Sequence, residues 1–293
     1  MINQIQRRIS HSDKRKLTQR LGFSGLTLAA LVTVTPIVLV VAYVFWKGSP
    51  ALSMQFFLEM PRDGMRAGGI LPAIVGTFWL TIGTGIISVP LGIGAAIYLS
   101  EYAPDNRWTR TIRIAIINLA GIPSVVYGLF GLGLFVLFLG FGTSLLAGSL
   151  TLAIMTLPVI ISTAEEALRS VPASFRTVSI SLGGSKWQTI RRIVLPQALP
   201  GILTGVILGL ERAAGETAPI LFTVAAFFLP QLPNSALDAT MALPYHLFVI
   251  STQVPGMPIQ IQYGTAVVLL TFVLSMNIIA TVIRSRARAK RQW

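Results

Sequence analysis

EEALRSVPASFRTVSISLGGSKWQTIRRIVLP, residues 165–196, is a polar and basic segment that lies between two long apolar stretches. Apolar residues recur within it at the three- and four-residue spacing of a helix. Pro172 is not tolerated in a helix interior, but it suits a first helical turn. We therefore predict one helix that ends near Ser170 and a second, short helix over about 172–182.

A tight turn and a third helix follow in the same segment. Gly183 and Gly184 mark the turn, because glycine adopts a positive φ at little steric cost. Ser185 and Gln188 match the Ser-x-x-Gln capping box that begins a helix. We predict that this third helix ends at Pro196. Its apolar side is predicted to comprise Trp187, Ile190 and Val194.

The composition is that of a polytopic membrane protein. Of the 293 residues, 53% are hydrophobic and 11% are charged, which is too apolar for an ordinary soluble domain. Cysteine is absent, so we predict neither a disulfide framework nor a thiolate metal site. The net charge of +13 does not indicate nucleic-acid binding, because the basic residues follow the membrane topology rather than form one patch.

Six stretches are long and apolar enough to cross a bilayer as helices, for which about 20 residues are needed. The first follows a basic tail, and its apolar run is too long for a signal peptide, so we predict an uncleaved membrane helix. The predicted fold class is an all-α membrane protein with six transmembrane helices. The stretches are roughly 22–46, 69–99, 112–140, 145–164, 198–228 and 263–283.

The distribution of lysine and arginine predicts the orientation of these spans. Nineteen of the 23 basic residues fall on one predicted side, three on the other, and Arg212 lies within a span. Loops rich in lysine and arginine stay in the cytoplasm. We therefore predict that both termini and the 165–196 segment of this multi-pass protein are cytoplasmic.

The predicted outer loop over 229–262 contains no lysine or arginine, is rich in proline and has an apolar middle over 241–250. Two interpretations remain open for it. It is either a packed loop that caps the helix bundle or a docking surface for an extracytoplasmic partner.

The fifth span carries a stripe of small residues, Gly201, Gly205 and Gly209. At about 100° per residue, Arg212 and Glu216 fall on the same face as these glycines. Both side chains are therefore predicted to point into protein or a cavity rather than into lipid.

Ionisable groups at membrane depth are candidates for function. Arg212 and Glu216 are four residues apart and can pair along a helix. The structural interpretation is an ion pair that fixes helix packing. The functional interpretation makes Arg212 part of an anion pathway, with Glu216 holding it in place, because a guanidinium can hydrogen-bond two oxygens of an oxyanion at once.

Common catalytic and nucleotide-binding motifs are absent from the sequence. It contains no GxxxxGK[ST] phosphate loop, no GxSxG elbow and no HExxH pair. His11 and His246 have no metal-ligating neighbours in sequence, and Asn118 suggests an interhelical hydrogen bond. We therefore predict no enzymatic activity, no metal and no cofactor for this chain, so any ATP and Mg²⁺ would be bound by another subunit.

Gly183, nine residues and then Ile193-Val194-Leu195-Pro196 resemble the G-x(9)-I-x-L-P part of the EAA loop in the membrane subunits of ABC importers. We call residues 165–196 the coupling loop. The family's Glu-Ala-Ala is replaced here by Thr177-Val178-Ser179. The resemblance implies the type I, MetI-like permease fold, with coupling helices that dock in a groove of a cytoplasmic ATPase. The residues it marks for coupling are Phe175, Gly183, Trp187, Ile193, Leu195 and Pro196.

Four further stretches resemble the PstA permeases of phosphate-specific ABC transporters. They are PAIVGTFWLT (72–81), PLGIGAAIYLSEYAPDN (90–106), NLAGIPSVVYGLFGLGLF (118–135) and ERAAGETAPILFT (211–223). This resemblance covers about residues 68–283. It implies that Arg212 and Glu216, which match the family's R-x-x-G-E-T segment, are linked with phosphate passage.

The resemblance also implies partners and a division of the chain. The partners would be a second homologous permease in a heterodimer, an ATPase dimer at the coupling loop and an extracytoplasmic phosphate-binding protein. The expected parts are a cytoplasmic basic tail (1–21), a first transmembrane helix with its outer loop (22–67), the permease domain (68–283) and a second basic tail (284–293).

Three other functions remain open at this point. A permease for another oxyanion, molybdate or sulfate, would share the coupling loop and could share an intramembrane arginine. A proton-coupled secondary transporter would use Glu211, Arg212 and Glu216 as a relay, but it would need no site for an ATPase. A signalling or assembly scaffold would show no transport.

Overall fold

The computed structural model describes the backbone of residues 2–289 and the side chains of residues 19–286. Most of this range is helical. In chain order the elements are α1 (Ile2–Gly48), α2 (Met54–Leu58), β1 (Pro61–Arg62), β2 (Ala67–Gly68), α3 (Leu71–Ile97), α4 (Arg107–Ala120), α5 (Ser124–Gly131), α6 (Leu145–Arg169), α7 (Ala173–Ser181), α8 (Lys186–Thr189), α9 (Leu195–Gly215), α10 (Ala218–Thr223), α11 (Leu243–Thr252) and α12 (Ile259–Ala289).

Three of these helices continue through π-helical turns. Tyr98–Tyr102 extends α3, Leu132–Phe138 extends α5, and Ile190–Val194 joins α8 to α9. The two short strands pair antiparallel, with Pro61 opposite Gly68. The basic tails contain predicted cytoplasmic charges, from Arg7 to Lys16 and from Arg288 to Arg291, whose side chains lie outside the described residues.

Five helical stretches in the described part of the chain are long and apolar enough to cross a membrane, and a bent pair makes a sixth. This agrees with the prediction of six spans. The five are Gln19–Ala51, Leu71–Tyr102, Leu145–Arg169, Lys186–Gly215 and Ile259–Arg286.

The third predicted span, 112–140, is not one straight helix. It is formed by α4 and the extended α5, which meet at an angle of 99°. Gly121 ends α4, and Pro123 precedes α5 with an extended ψ of 137°. A proline disfavours helical geometry in the residue before it and donates no backbone hydrogen bond, and here it follows the glycine at the end of α4, so the chain bends there.

The predicted bounds of the fifth span, 198–228, are wrong at both ends, because the helix runs from Lys186 to Gly215. The helix begins at Lys186 and runs through Pro196, which therefore does not close the third helix of the coupling loop. Pro196 lies in the first turn of α9, directly after the π-helical turn, where a missing backbone donor is tolerated. The helix ends at Gly215, because the next residue, Glu216, has an extended backbone.

Helices α3, α6 and α9 form the packed centre of the bundle. Ile160 of α6 is fully buried between a glycine of each neighbour. A Cβ added at Gly92 would lie 2.6 Å from Ile160 Cγ2, and one added at Gly209 would lie 3.1 Å from Ile160 Cγ1. The small residues therefore let the three helices approach closely, as expected for packing within a membrane.

The segment over 241–250 packs into the bundle at the end opposite the coupling loop. Met241, Leu243, Val249 and Ile250 are each no more than 1% exposed, and the Leu243 backbone N–H donates to Thr77 Oγ1 over 2.8 Å. The structure therefore favours the packed cap over an exposed docking surface for this apolar middle.

Candidate functional site

Arg212 and Glu216 form an ion pair at the end of α9. Arg212 lies in the last turn, and Glu216 follows the helix in extended backbone, with φ −76° and ψ 135°. The Nε of Arg212 donates to Oε1 of Glu216 over 3.2 Å. The two side chains pair as their spacing predicted, but Glu216 reaches Arg212 from beyond the helix rather than from its next turn.

The surroundings of this pair leave Arg212 open on one side. The Arg212 side chain is 36% exposed and the Glu216 side chain 17% exposed. Glu216 borders an internal cavity of about 10 Å³, together with Thr77 and Thr81 of α3. That volume is at the lower limit for a single water. An anion could therefore reach Arg212 only from its exposed face, outside the core of this chain.

Glu211 is not part of the pair. One of its carboxylate oxygens is buried and has no hydrogen-bond partner within the described residues. The structure thus brings Arg212 and Glu216 together but does not join Glu211 to them, as a three-residue relay would require. The side chain of Asn118 is exposed and makes no hydrogen bond within the described chain, so the predicted interhelical bond is absent there.

The turn of the coupling loop has the geometry that its sequence predicted. Gly183 has a φ of +85°. Its N–H donates to the Ile180 carbonyl over 2.9 Å, and the Gly184 N–H donates to the Ser179 carbonyl over 3.0 Å. These two bonds make a Schellman motif at the end of α7. The predicted capping box of Ser185 and Gln188 is also present, with both of its hydrogen bonds.

A surface groove of about 480 Å³ lies between α7 and the start of the next helix. Its apolar lining comes mainly from Phe175, Val178, Leu182 and Ile193, and the Leu182 side chain is 84% exposed. Arg192 supplies a positive charge at the same groove. We call this feature the α7 groove. It is concave, apolar at its centre and basic at one side, which suits insertion of a protein element.

The six residues predicted for coupling are distributed unevenly around the α7 groove. Phe175 and Ile193 line it, and Gly183 shapes the turn beside it. Trp187 is 54% exposed, so it does not share the buried side of Ile190 and Val194. Leu195 packs into the apolar cluster beneath the loop, and Pro196 is exposed but does not line the groove.

A network of ion pairs holds the coupling loop to the spans, and the sequence analysis did not identify it. Arg176 of α7 contacts Glu101 at the end of α3, with Nη2 2.7 Å from Oε1. Arg113 of α4 contacts Glu165 of α6 over 2.7 Å, and Glu165 also contacts Arg169 over 3.1 Å. Only the Glu165–Arg169 pair has a helical spacing, so the sequence offered no local pattern for the other two.

The described residues contain no group of three or more histidine, cysteine, aspartate or glutamate side chains that could hold a metal ion. His246 lies alone in the packed cap, 2% exposed, with its Nδ1 buried and unpartnered within the described chain. Burial lowers the pKa of His246 to about 4. It is therefore neutral at physiological pH.

Comparison with known families matches residues 88–289 to the family described as "Binding-protein-dependent transport system inner membrane component". The match covers more than half of the chain and includes the coupling loop and the Arg212–Glu216 pair. The chain belongs to this family.

Individual members of the family are similar over most of their length. The "Probable ABC transporter permease protein YqgI" of Bacillus subtilis (strain 168) is 33% identical over 280 residues, which cover 91% of this chain and 95% of that protein. The "Phosphate transport system permease protein PstA 1" of Mycobacterium tuberculosis (strain ATCC 25618 / H37Rv) is 37% identical over 227 residues, covering 77% of this chain and 73% of that protein.

Solved structures of ABC importers share the fold of this permease. A chain of a bacterial ABC transporter involved in the import of the acidic polysaccharide alginate aligns with a TM-score of 0.65 at 13% identity, covering 95% of this chain and 99% of that one. A chain of the MetNI methionine ABC transporter, in an inward-facing conformation, aligns with a TM-score of 0.59 at 18% identity, covering 74% and 97%. At these identities the likeness establishes the MetI-like permease fold alone.

Proposed function

We propose that this chain is the membrane-spanning permease subunit of an ATP-driven importer for inorganic phosphate, located in the bacterial cytoplasmic membrane. The observation that carries the proposal is the Arg212–Glu216 pair, whose guanidinium lies in an apolar span and is exposed on one side. Relatives named as phosphate permeases support phosphate as the substrate.

An arginine in this position suits the passage of an oxyanion through an apolar region. Placing it within a span costs about 2.5–3.5 kcal/mol on insertion scales, which packing alone would not require. Its planar guanidinium can donate two parallel hydrogen bonds to phosphate oxygens. Glu216 competes for the same donors and moderates the positive field, so that phosphate is stabilised transiently rather than trapped.

The chain acts as a transport subunit, and a separate ATPase dimer supplies the energy. That ATPase carries the ATP and Mg²⁺, and one of its protomers docks at the α7 groove. The exposed Leu182 and Trp187 side chains provide apolar contacts, while the Schellman turn at Gly183 sets the angle between the two docking helices.

The remaining partners follow from the family and the charge distribution. A second, homologous permease covers the open side of Arg212, so that the phosphate path lies between the two subunits. An extracytoplasmic binding protein delivers phosphate to the end that carries the packed cap. Both termini and the coupling loop face the cytoplasm, because most lysine and arginine residues fall on that side.

Uptake by purified complex in vesicles tests this proposal. Complex is reconstituted with ATP inside, binding protein outside and radiolabelled phosphate as the probe, with one preparation lacking the ATPase. We expect phosphate uptake that requires both ATP and the ATPase and is not inhibited by excess sulfate or molybdate. Uptake that persists without the ATPase and follows a pH gradient would overturn the proposal, and uptake of sulfate or molybdate in place of phosphate would change the substrate.

A further inference from the structure

The Arg176 side chain makes four hydrogen bonds, which join α7 to two other parts of the chain. Its Nε and Nη2 donate to the two carboxylate oxygens of Glu101, over 3.2 and 2.7 Å. Its Nη1 donates to the Val171 carbonyl over 2.7 Å, and Nη2 also donates to the Leu168 carbonyl over 2.9 Å. Arg176 therefore ties the docking helix α7 to the end of α3 and to the end of α6.

The partner carboxylate is buried and lies in a distinctive piece of backbone. The Glu101 side chain is 7% exposed, and Glu101 belongs to the π-helical turn that ends α3. The same turn is held from a second helix, because Arg113 Nη2 donates to the Leu99 carbonyl over 2.7 Å. Short π-helical turns often occur at functional sites. The end of α3 is thus fixed by two arginines from different helices.

Helix α3 also reaches the Arg212–Glu216 pair. Thr77 and Thr81, in its first half, border the small cavity that Glu216 borders. Helix α3 and its π-helical extension form one apolar stretch from Leu71 to Tyr102. One continuous helical element therefore connects the contact with α7 to the candidate phosphate path.

We propose that Arg176 is a positioning residue that transmits movement of the docking helix to α3 through Glu101. When the ATPase dimer closes, α7 moves with it, and the bidentate Arg176–Glu101 contact makes α3 follow. The displacement of α3 then changes the environment of Glu216 and the access to Arg212. This inference rests on the proposed function, because it concerns how ATP hydrolysis is coupled to that transport.

The bonding pattern distinguishes this role from an ordinary surface ion pair. An exposed pair contributes little and can be removed without consequence. Arg176 is instead 23% exposed, and its bidentate geometry holds direction as well as distance. Replacement by lysine preserves the charge but removes the planar, bidentate guanidinium. The lysine variant therefore tests whether charge attraction alone is enough for coupling or whether the two-bond geometry is needed.

The test measures phosphate uptake and ATP hydrolysis in the same vesicles and reports their ratio. The variants are Arg176→Gln, Arg176→Lys and Glu101→Gln in the complete complex. The matched control is Arg110→Gln, since Arg110 is an exposed arginine with no ion pair among the described residues. We expect the ratio of uptake to hydrolysis to fall about tenfold in Arg176→Gln and Glu101→Gln, less in Arg176→Lys, and not in the control.

A second measurement replaces the ion pair by a covalent link. The chain has no cysteine, so the double variant Glu101→Cys/Arg176→Cys introduces two unique thiols. We expect this variant to be uncoupled until a short bifunctional maleimide joins the thiols, and then to recover a ratio within about twofold of wild type. Recovery of this kind would not follow from a role in folding alone.

Two results would overturn the proposed role of Arg176 in coupling. An unchanged ratio in Arg176→Gln and Glu101→Gln, including in whatever fraction assembles, shows that the contact only stabilises the subunit. A ratio that does not change on crosslinking leads to the same conclusion. A wild-type complex that transports no phosphate refutes the proposed function instead, and the ratio of stimulated to basal ATP hydrolysis then still reports on Arg176.

Discussion

The two charged regions of this permease differ in how firmly they are held. Near the coupling loop, Arg113, Glu165 and Arg169 share bonds, and Arg176 makes four. At the other end of α9, Arg212 makes one ion pair within the described residues, with Glu216 at 3.2 Å, and is 36% exposed. In the first region, several ion pairs and hydrogen bonds hold neighbouring helices together, and we call this region the joint near the coupling loop. The second has a partly exposed guanidinium, which under the proposed function binds phosphate as it passes.

Substitutions in the two regions should therefore impair different properties of the complex. Breaking the joint near the coupling loop should reduce stability or coupling. Removing Arg212 should leave a stable complex that does not transport.

Arg212→Ala should abolish phosphate uptake while the complex still assembles and hydrolyses ATP at the basal rate. Arg212→Lys should be impaired as well, because the bidentate fork is lost. Vesicle uptake and gel filtration of the same preparation measure both properties. Uptake by Arg212→Ala near the wild-type level would remove the distinction between the two regions.

Glu165→Gln should destabilise the subunit, because it leaves the 21% exposed side chain of Arg113 without its charged partner. Removing one partner of a fully buried pair costs about 3–5 kcal/mol, and this pair is partly buried, so the loss should be at most of that size. Thermal unfolding of the purified subunit in detergent measures the loss. The exposed pair of Arg62 and Glu59 supplies the control, since Arg62→Gln should change stability by less than about 1 kcal/mol. Equal stability of Glu165→Gln and Arg62→Gln would show that the Arg113–Glu165 pair does not hold the helices together near the coupling loop.

His246, at the end of the bundle that carries Arg212, should make the stability of the subunit depend on pH, with a smaller effect than Glu165→Gln. Burial lowers its pKa from 6.5 to about 4, so between these values the unfolded chain binds a proton that the folded chain does not. Stability should therefore fall as the pH decreases from 6.5 towards 4, by about 2 kcal/mol at pH 5.

The contribution of His246 is measured by comparing unfolding at pH 7.5 and pH 5 in wild type and in His246→Leu. The variant should lose this part of the pH dependence. An identical pH dependence in both proteins would show that His246 is not kept neutral by the packed cap.

Gly183→Val should reduce the stimulation of ATP hydrolysis by the loaded binding protein without preventing insertion. The effect comes from backbone strain alone, because a Cβ at Gly183 would meet no atom within 4 Å, whereas a φ of +85° is unfavourable for a β-branched residue. The cost is about 1–2 kcal/mol. Asparagine tolerates this conformation better, so Gly183→Asn is the matched control. Equal stimulation in the two variants would mean that the turn does not shape the docking surface.

The local features of the coupling loop were predictable from the sequence because their determinants are adjacent. The end of α6 at Arg169, the extent of α7 and the capping box at Ser185 all matched the predictions. Proline, glycine and serine act on the backbone within a few residues, so local sequence determines these boundaries.

Two kinds of feature were not predictable. Glu101 and Arg176 are separated by 75 residues, and Arg113 and Glu165 by 52, so only the assembled bundle brings them together. Gly121 and Pro123 mark the bend between α4 and α5 in the sequence, but its size was not predictable, because hydropathy reports the length of an apolar stretch and not its straightness. The continuation of the helix through Pro196 was missed because a π-helical turn precedes that proline.

Under the proposed function, Arg212 acts on phosphate and is not merely a structural partner of Glu216. The double variant Arg212→Ala/Glu216→Ala tests it most directly, because it removes both charges and leaves neither one unpaired. Phosphate uptake and complex assembly are measured in one preparation, with Glu216→Ala alone as the control. We expect the double variant to assemble but to take up no phosphate. Uptake restored to the wild-type level in the double variant would contradict it and make the pair a packing element.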